Sequence, residues 1–459
     1  MTIPIPRSLA DAAQLVERGE LSPVDLTQAC LDRITARNGE LRAFITVLAD
    51  QAVAAARHAE QEIAKGQYRG ALHGIPVSVK DLVDIAGIPT TSGSAVPAPL
   101  PRHDAPVVTN LRRAGAVIVG KTNLHEFAFG TTSDETAFGA VRHPRDPTRS
   151  AGGSSGGAAV AIVEGMSLGS VGTDTGGSIR IPSAACGITG LKPSFGEISC
   201  EGIVPLSATL DHVGPMTRTV ADAGLLYDAL CGHASTRVKE APAADGSLWL
   251  GVPAPYFLDK LDPGTRECFE RSQRVCAGAG HNLQELTIAH AGLTPDVYLH
   301  IVLPEASWYH APLLERYADK YSPGVRIRLE MGRYVLAEDY LRAMHARPVL
   351  RAAVDRALEG VDALVLPALA IGAPPLGAQS VTIDNRQEPV RATMLRLTQL
   401  FNITGHPAIA IPCGNGTDGL PRSIQLVGHR GATRRLLEVA AILERQIMPA
   451  AGSVGGGAG

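Results

Sequence analysis

The chain has 459 residues, 45% hydrophobic and 19% charged, with a formal net charge of −3. That is enough for a large buried core, and the slightly acidic balance excludes a nucleic-acid or membrane-surface protein. No apolar run approaches the roughly 18 residues of a membrane-spanning helix, and the start MTIPIPRSLADAAQL lacks the apolar stretch of a secretion signal, so a cytoplasmic location is expected.

In chain order, the first 70 residues read as helical. Ser22-Pro23 caps a helix whose stripe is Leu26, Cys30 and Ile34, with Asn38-Gly39 as its stop. A second helix is predicted from about Asp50 to Gly66. From Ile75 to about Val220 short β-branched runs (Val77-Ser-Val, Ala116-Val-Ile-Val119, Ser170-Val171) alternate with helix-like stretches at Val107 to Ala114 and Ala158 to Met166. This alternation predicts an α/β fold with a sheet covered by helices on both faces. Residues 232–246 read as a polar surface connection and Leu248 to Val252 as a strand. The stretch 262–360 reads as largely helical. Strands follow at Asp362 to Pro367, Ala408 to Pro412 and Ser423 to Val427, then a helix from Arg434 to Ile447 and a disordered tail at 452–459. Strand-like segments near both ends favour one domain, with a core at 70–220 and a helical insertion at 262–360.

Two glycine-rich runs place Ser154 and Ser178 24 residues apart: Ser150-Ala-Gly-Gly-Ser-Ser-Gly-Gly157 and Gly172-Thr-Asp-Thr-Gly-Gly-Ser-Ile-Arg-Ile-Pro182. Upstream, His73-Gly-Ile-Pro-Val-Ser-Val-Lys80 ends a β-branched stretch on a lysine. Glycine lets backbone N–H groups approach an oxyanion, and a serine closing such a run can attack the carbonyl they hold. A buried lysine can act as base without a histidine.

Other patterns compete. Gly115-Ala-Val-Ile-Val-Gly-Lys-Thr122 spells a phosphate loop, but Ala-Val-Ile-Val is itself a strand and too stiff to wrap a phosphate, which leaves Lys121 structural. Gly152-Gly-Ser-Ser-Gly156 fits a nucleophile elbow, with Asp211 and His212 or His429 following, yet the strand such an elbow requires is absent. The seven cysteines include no CxxC pair, so reduced, mostly buried thiols are expected; Cys186 reads as core. No cluster has metal-ligand spacing, and no metal or other cofactor is expected.

The three runs together, with Gly120-Lys-Thr-Asn123, Asn402-Ile-Thr-Gly-His-Pro407 and Gly419-Leu-Pro-Arg-Ser-Ile-Gln-Leu426, resemble the amidase signature family from about Ser22 to Leu437. The resemblance implies the amidase-signature fold, with a mixed twisted sheet. It also implies Ser178 as nucleophile, Ser154, after a cis peptide, as proton relay, and Lys80 as general base. The N–H groups of Thr175, Gly176, Gly177 and Ser178 would form the oxyanion hole. Asp174 and Arg180 read as a brace for the nucleophile loop, and Ser155 as a hydrogen-bonding neighbour behind Lys80. Ala128 and Phe129, in Glu126-Phe-Ala-Phe-Gly130, match a stretch lining the acyl pocket in relatives; ordinary core packing is the equal alternative. Trp308-Tyr309-His310 reads equally as an aromatic lid or a core-facing helix.

Within that family the resemblance allows a free-standing amidase or the amide-cleaving component of a glutamine-dependent amidotransferase. Gly232-His-Ala-Ser-Thr-Arg-Val replaces that component's Asp-Pro-x-Asp run, and Glu197 and Cys200 replace two arginines of its Gly-Arg-x-Ser-Arg stretch. The expectation is a free-standing hydrolase of small uncharged amides, with esters and carbamates (urethanes) as further substrates, acting as a monomer or homodimer. A Ser-His-Asp esterase and a catalytically silent binding protein are the remaining alternatives.

Overall fold

Ser22 caps the helix Pro23–Leu41 as its sequence predicts, its hydroxyl accepting from the N–H groups of Val24 and Asp25. The computed structural model describes residues 5–233 and 246–448; the 232–246 connection falls almost wholly outside them, and the 452–459 tail entirely so. Asn38-Gly39 does not end that helix. The Asn38 side chain instead exchanges hydrogen bonds with the backbone of Phe44, and the chain turns at Arg42 (φ 55°). This contact holds a strand that the helical reading of the first 70 residues overlooked.

The described strands are β1 (Phe44–Val47), β2 (Pro76–Lys80), β3 (Val117–Thr122), β4 (Gly169–Asp174), β5 (Thr189–Lys192), β6 (His212–Thr217), β7 (Trp249–Pro253), β8 (Asn282–Leu286), β9 (Ala363–Pro367), β10 (Ser380–Ile383), β11 (Arg386–Pro389), β12 (Ala408–Asn415) and β13 (Pro421–Val427). Eleven share one sheet in the order β1-β3-β2-β4-β6-β5-β12-β13-β9-β7-β8, and β10 and β11 form a separate hairpin. The large sheet is mixed. β2 runs parallel to β3 and β4, β7 runs parallel to β8 and β9, and the pairs from β4 through β6, β5, β12 and β13 to β9 are antiparallel. β2 to β6, β9 and β13 are buried along their whole length, as strands covered on both faces must be.

The 262–360 stretch contributes the helices Pro263–Gly278, Thr294–Tyr317, Pro323–Gly332 and Ala337–Ala357, and also the edge strand β8, which the sequence reading missed. Two parallel neighbours, β2 and β4, end side by side with Val79 opposite Val171. Lys80 and Asp174 are therefore the last residues of adjacent strands, at the carboxyl edge where α/β sheets collect their functional groups.

Candidate active site

Val77 and Val79 enter the hydrophobic core, and Lys80 follows them with no solvent exposure at all. Its Nζ donates to Ser154 Oγ at 2.7 Å and to Thr173 Oγ1 at 2.8 Å. Burial pulls the Lys80 ammonium down to about 7, against the upward pull of the Asp174 and Asp211 charges. At neutral pH a large fraction of Lys80 is thus free to accept a proton.

Ser154 stands where the Gly153–Ser154 peptide bond is cis. A Cβ on Gly153 would lie 2.8 Å from the backbone nitrogens of Thr132 and Ser133, which explains the small residue there. Ser133 Oγ donates to the Ser154 carbonyl and accepts from the N–H of Gly156, where the helix Gly156–Val163 begins. Ser155 does not touch Lys80 directly. Its hydroxyl donates to the Thr173 carbonyl at 3.3 Å, and its N–H donates to the Ser178 carbonyl at 3.2 Å, tying the two serine runs together.

Downstream of β4, Asp174 and Arg180 bracket the second run. Arg180 donates to both Asp174 oxygens, at 2.8 and 3.1 Å, and neither side chain is exposed. The guanidinium also reaches the Thr398 carbonyl, Gln425 Oε1 and Asn402 Oδ1. Burial pushes the Asp174 carboxyl up, but Arg180, Lys192 and Asn402 more than reverse this and hold it well below the usual carboxylate range. Asp174 also accepts from the N–H of Ile179. The N–H groups of Thr175, Gly176, Gly177 and Ser178, by contrast, have no acceptor among the described residues. Gly177 adopts φ +142°, and a Cβ there would come within 2.3 Å of Thr398 Oγ1. Ser178 is 6% exposed, and its hydroxyl likewise has no partner among the described residues.

Beside these groups lies a cavity of about 230 Å³ lined by Ala128, Thr173, Thr175, Cys200, Leu206 and Asp211. Ala128 faces it, whereas Phe129 does not; the Phe129 ring packs against the guanidiniums of Arg328 and Arg391. Phe127 is core, against His310 and Tyr321. Asp211 accepts from Thr175 Oγ1 at 2.5 Å and from the N–H groups of Leu206 and Ser207, while burial raises it to about 6. A second, more apolar cleft of about 370 Å³ shares Pro205, Leu206 and Ala208 with this cavity and is flanked by Trp308 and Tyr309. Trp308 is 80% exposed, Tyr309 is half-buried against the His310 ring and His310 is buried, so that helix turns its tryptophan outward and its histidine inward.

The competing patterns fall elsewhere. Val117–Thr122 is a strand, and Lys121 pairs with Asp81 at 2.7 Å and donates to Thr90 Oγ1 and the Pro89 carbonyl. His212 Nδ1 contacts the Leu210 carbonyl and His429 Nε2 the Val361 carbonyl, so neither histidine serves either serine. Cys186 is buried and donates to the Ala151 carbonyl. Thr173 and Asn402, both central here, carry little signal in the sequence; Asn402 lies within a motif, and Thr173 sits inside a glycine run without a chemical signal of its own.

The family model described as Amidase matches residues 25–437. An amidase of Pseudomonas putida is 39% identical over 426 residues, 90% of each chain. A glutamyl-tRNA(Gln) amidotransferase chain of Anaeromyxobacter sp. (strain K) is 36% identical over 482 residues, 96% of each. A solved amidase structure, 37% identical, superposes with a TM-score of 0.90 over 96% of this chain and 100% of that one. The chain belongs to the amidase signature family, whose enzymes hydrolyse carbon–nitrogen bonds.

Proposed function

We propose that the protein is a free-standing hydrolase of small non-peptide amides that works through an acyl-enzyme on Ser178. The observation that carries this reading is the 2.7 Å hydrogen bond between Lys80 Nζ and Ser154 Oγ, on a lysine that burial brings to about 7. Ser178 Oγ attacks the amide carbon, and its proton passes to Ser154 Oγ as Ser154 gives its own to Lys80. The tetrahedral oxyanion is held by the unpaired N–H groups of residues 175–178, each such donor contributing about 3 kcal/mol to the transition state. Collapse breaks the C–N bond. The amine departs with a proton from Ser154, which is replenished from Lys80, and water repeats the sequence to release the acid.

Asp174 and Arg180 position the loop from behind, and Ala128 borders the space open to the acyl group. Esters and carbamates pass through the same oxyanion and are further substrates of this machinery. The amidotransferase reading is disfavoured at Glu197, whose carboxylate accepts from Tyr227 and Thr433 inside the fold in place of a surface cation. The test is a screen of p-nitroanilides, p-nitrophenyl esters and aryl carbamates beside glutamine and malonamide. Turnover of anilides by the isolated chain is expected; turnover of glutamine alone would overturn the reading.

A further inference from the structure

Two guanidiniums sit on the Phe129 ring, with Arg328 Cζ 5.5 Å and Arg391 Cζ 5.6 Å from its centroid. They differ in what satisfies them. Arg328 donates to Glu135 at 2.8 Å. Arg391 has neither an ion pair nor a hydrogen-bond acceptor among the described residues, although the Glu135 charge favours its cation from a distance, and its Nε is buried. The side chain is half-buried, and a guanidinium whose Nε is withdrawn from water gains when an anion joins it. Burial lowers it only to about 10, so it is charged at neutral pH.

Arg391 lines a pocket of about 370 Å³ with Tyr256, Lys260, Tyr298, Arg396 and Gln399. The pocket's one acid, Glu388, is already paired with Lys260 at 2.6 Å. Arg396 rests 4.0 Å over the Tyr256 ring, donates one terminal N–H to the Tyr256 carbonyl at 2.6 Å and comes no closer to Asp259 than 3.8 Å, while its Nε is buried without a partner. The wall is therefore cationic, with the Arg391 guanidinium and the Arg396 Nε as its unused donors. It also adjoins the nucleophile loop: a Cβ on Gly176 would meet Tyr298 Oη at 2.5 Å and Leu395 Cδ2 at 3.0 Å. Tyr298 is 3% exposed, and its hydroxyl has no partner among the described residues.

We infer that Arg391 and the Tyr298 hydroxyl form an anion subsite for a carboxylate carried by the amide substrate, which rests on Ser178 being the nucleophile. The guanidinium fork donates two parallel hydrogen bonds to a planar carboxylate, while the substrate's reacting carbonyl lies over Gly176 and Ser178. Half-amides of short dicarboxylic acids are the substrate class this geometry fits. The uncharged amides expected from Glu197 and Cys200 reflect cations lost from one stretch; Arg391 supplies one from another.

The test compares the p-nitroanilides of succinic acid and of levulinic acid, in which a methyl ketone replaces the carboxylate. In the wild type kcat/KM should favour the succinyl compound at least tenfold. Arg391→Gln should lower that ratio at least tenfold and Arg391→Lys should keep part of it; a ratio measured on one preparation is unaffected by how much of it is folded. Titration calorimetry of Ser178→Ala with succinate reads the subsite without chemistry, and binding should vanish when Arg391→Gln is added. A wild-type ratio near one, or a ratio unmoved by Arg391→Gln, would overturn the subsite. Stimulation of levulinyl anilide turnover by inorganic phosphate would overturn it in favour of a free-anion site. Undiminished turnover of both anilides by Ser178→Ala would instead strike the nucleophile assignment, leaving the calorimetry to judge the subsite alone.

Discussion

Lys80 Nζ and Ser154 Oγ meet at 2.7 Å although 74 residues separate them in the chain. The contact exists because β2 ends at Lys80 while the Ser150–Gly157 run is drawn against β4 through Ser155 and the Thr173 carbonyl. A fully buried amine whose nearest partners are two hydroxyls has no carboxylate directly against it to keep it charged, which is the environment a lysine base requires.

That environment sets the pH dependence. With Lys80 at about 7, the base form grows as pH rises, so kcat/KM for an anilide should climb through pH 7 and level off above it. Asp211, at about 6, titrates below this rise. A pH–rate profile between 5 and 9 checks the sign; a rate falling across that interval would mean that the ammonium is the active form.

Ser178→Ala should reduce turnover by roughly 10⁴-fold or more, because the acyl-enzyme can no longer form. Ser154→Ala should leave a measurable residue, since it removes a relay and not the attacking atom. Intact-mass spectrometry after a fluorophosphonate should place the adduct on Ser178. An adduct on Ser155 or Cys186 would contradict the assignment.

Much of this site is legible in the sequence because glycine and lysine announce themselves. Lys80 follows an apolar alternation that buries it, and both serines close glycine runs. What was lost depended on long-range packing. β6 has no counterpart in the sequence reading, and packing dictates its glycine: a Cβ on Gly214 would lie 2.1 Å from the Leu191 carbonyl oxygen. Phe129 reads equally as pocket wall or core in the sequence, and only the fold reveals that Arg328 and Arg391 pack on its ring. Asp211 was weighed only as a partner for a histidine, whereas its ligands are Thr175 and two backbone N–H groups.

Breaking the brace behind the nucleophile should cost stability as well as rate. Arg180→Met leaves Asp174 charged, buried and deprived of its main partner, a change that costs about 3–5 kcal/mol. Urea unfolding of the variant should show that loss. A variant as stable as the wild type would mean that Asn402 and the Ile179 N–H suffice for Asp174.

Gly177→Ala tests the oxyanion loop. The added methyl would press on Thr398 and Ile181 at a φ of +142°, so the loop must shift. A drop of about 10²–10³ in kcat, the scale of one lost oxyanion donor, is expected in steady-state kinetics, with fluorophosphonate labelling slowed in parallel. Normal kcat would place the oxyanion elsewhere.

The most direct test of the Lys80–Ser154 relay is Lys80→Ala assayed on a matched anilide and p-nitrophenyl ester. Both substrates need Ser178 deprotonated, but only the amine must be protonated as it leaves, by the same pair working in reverse. The anilide should therefore lose at least about tenfold more kcat/KM than the ester. Equal losses on the two would show that Lys80 holds the loops together without moving protons, and the proposed mechanism would be wrong.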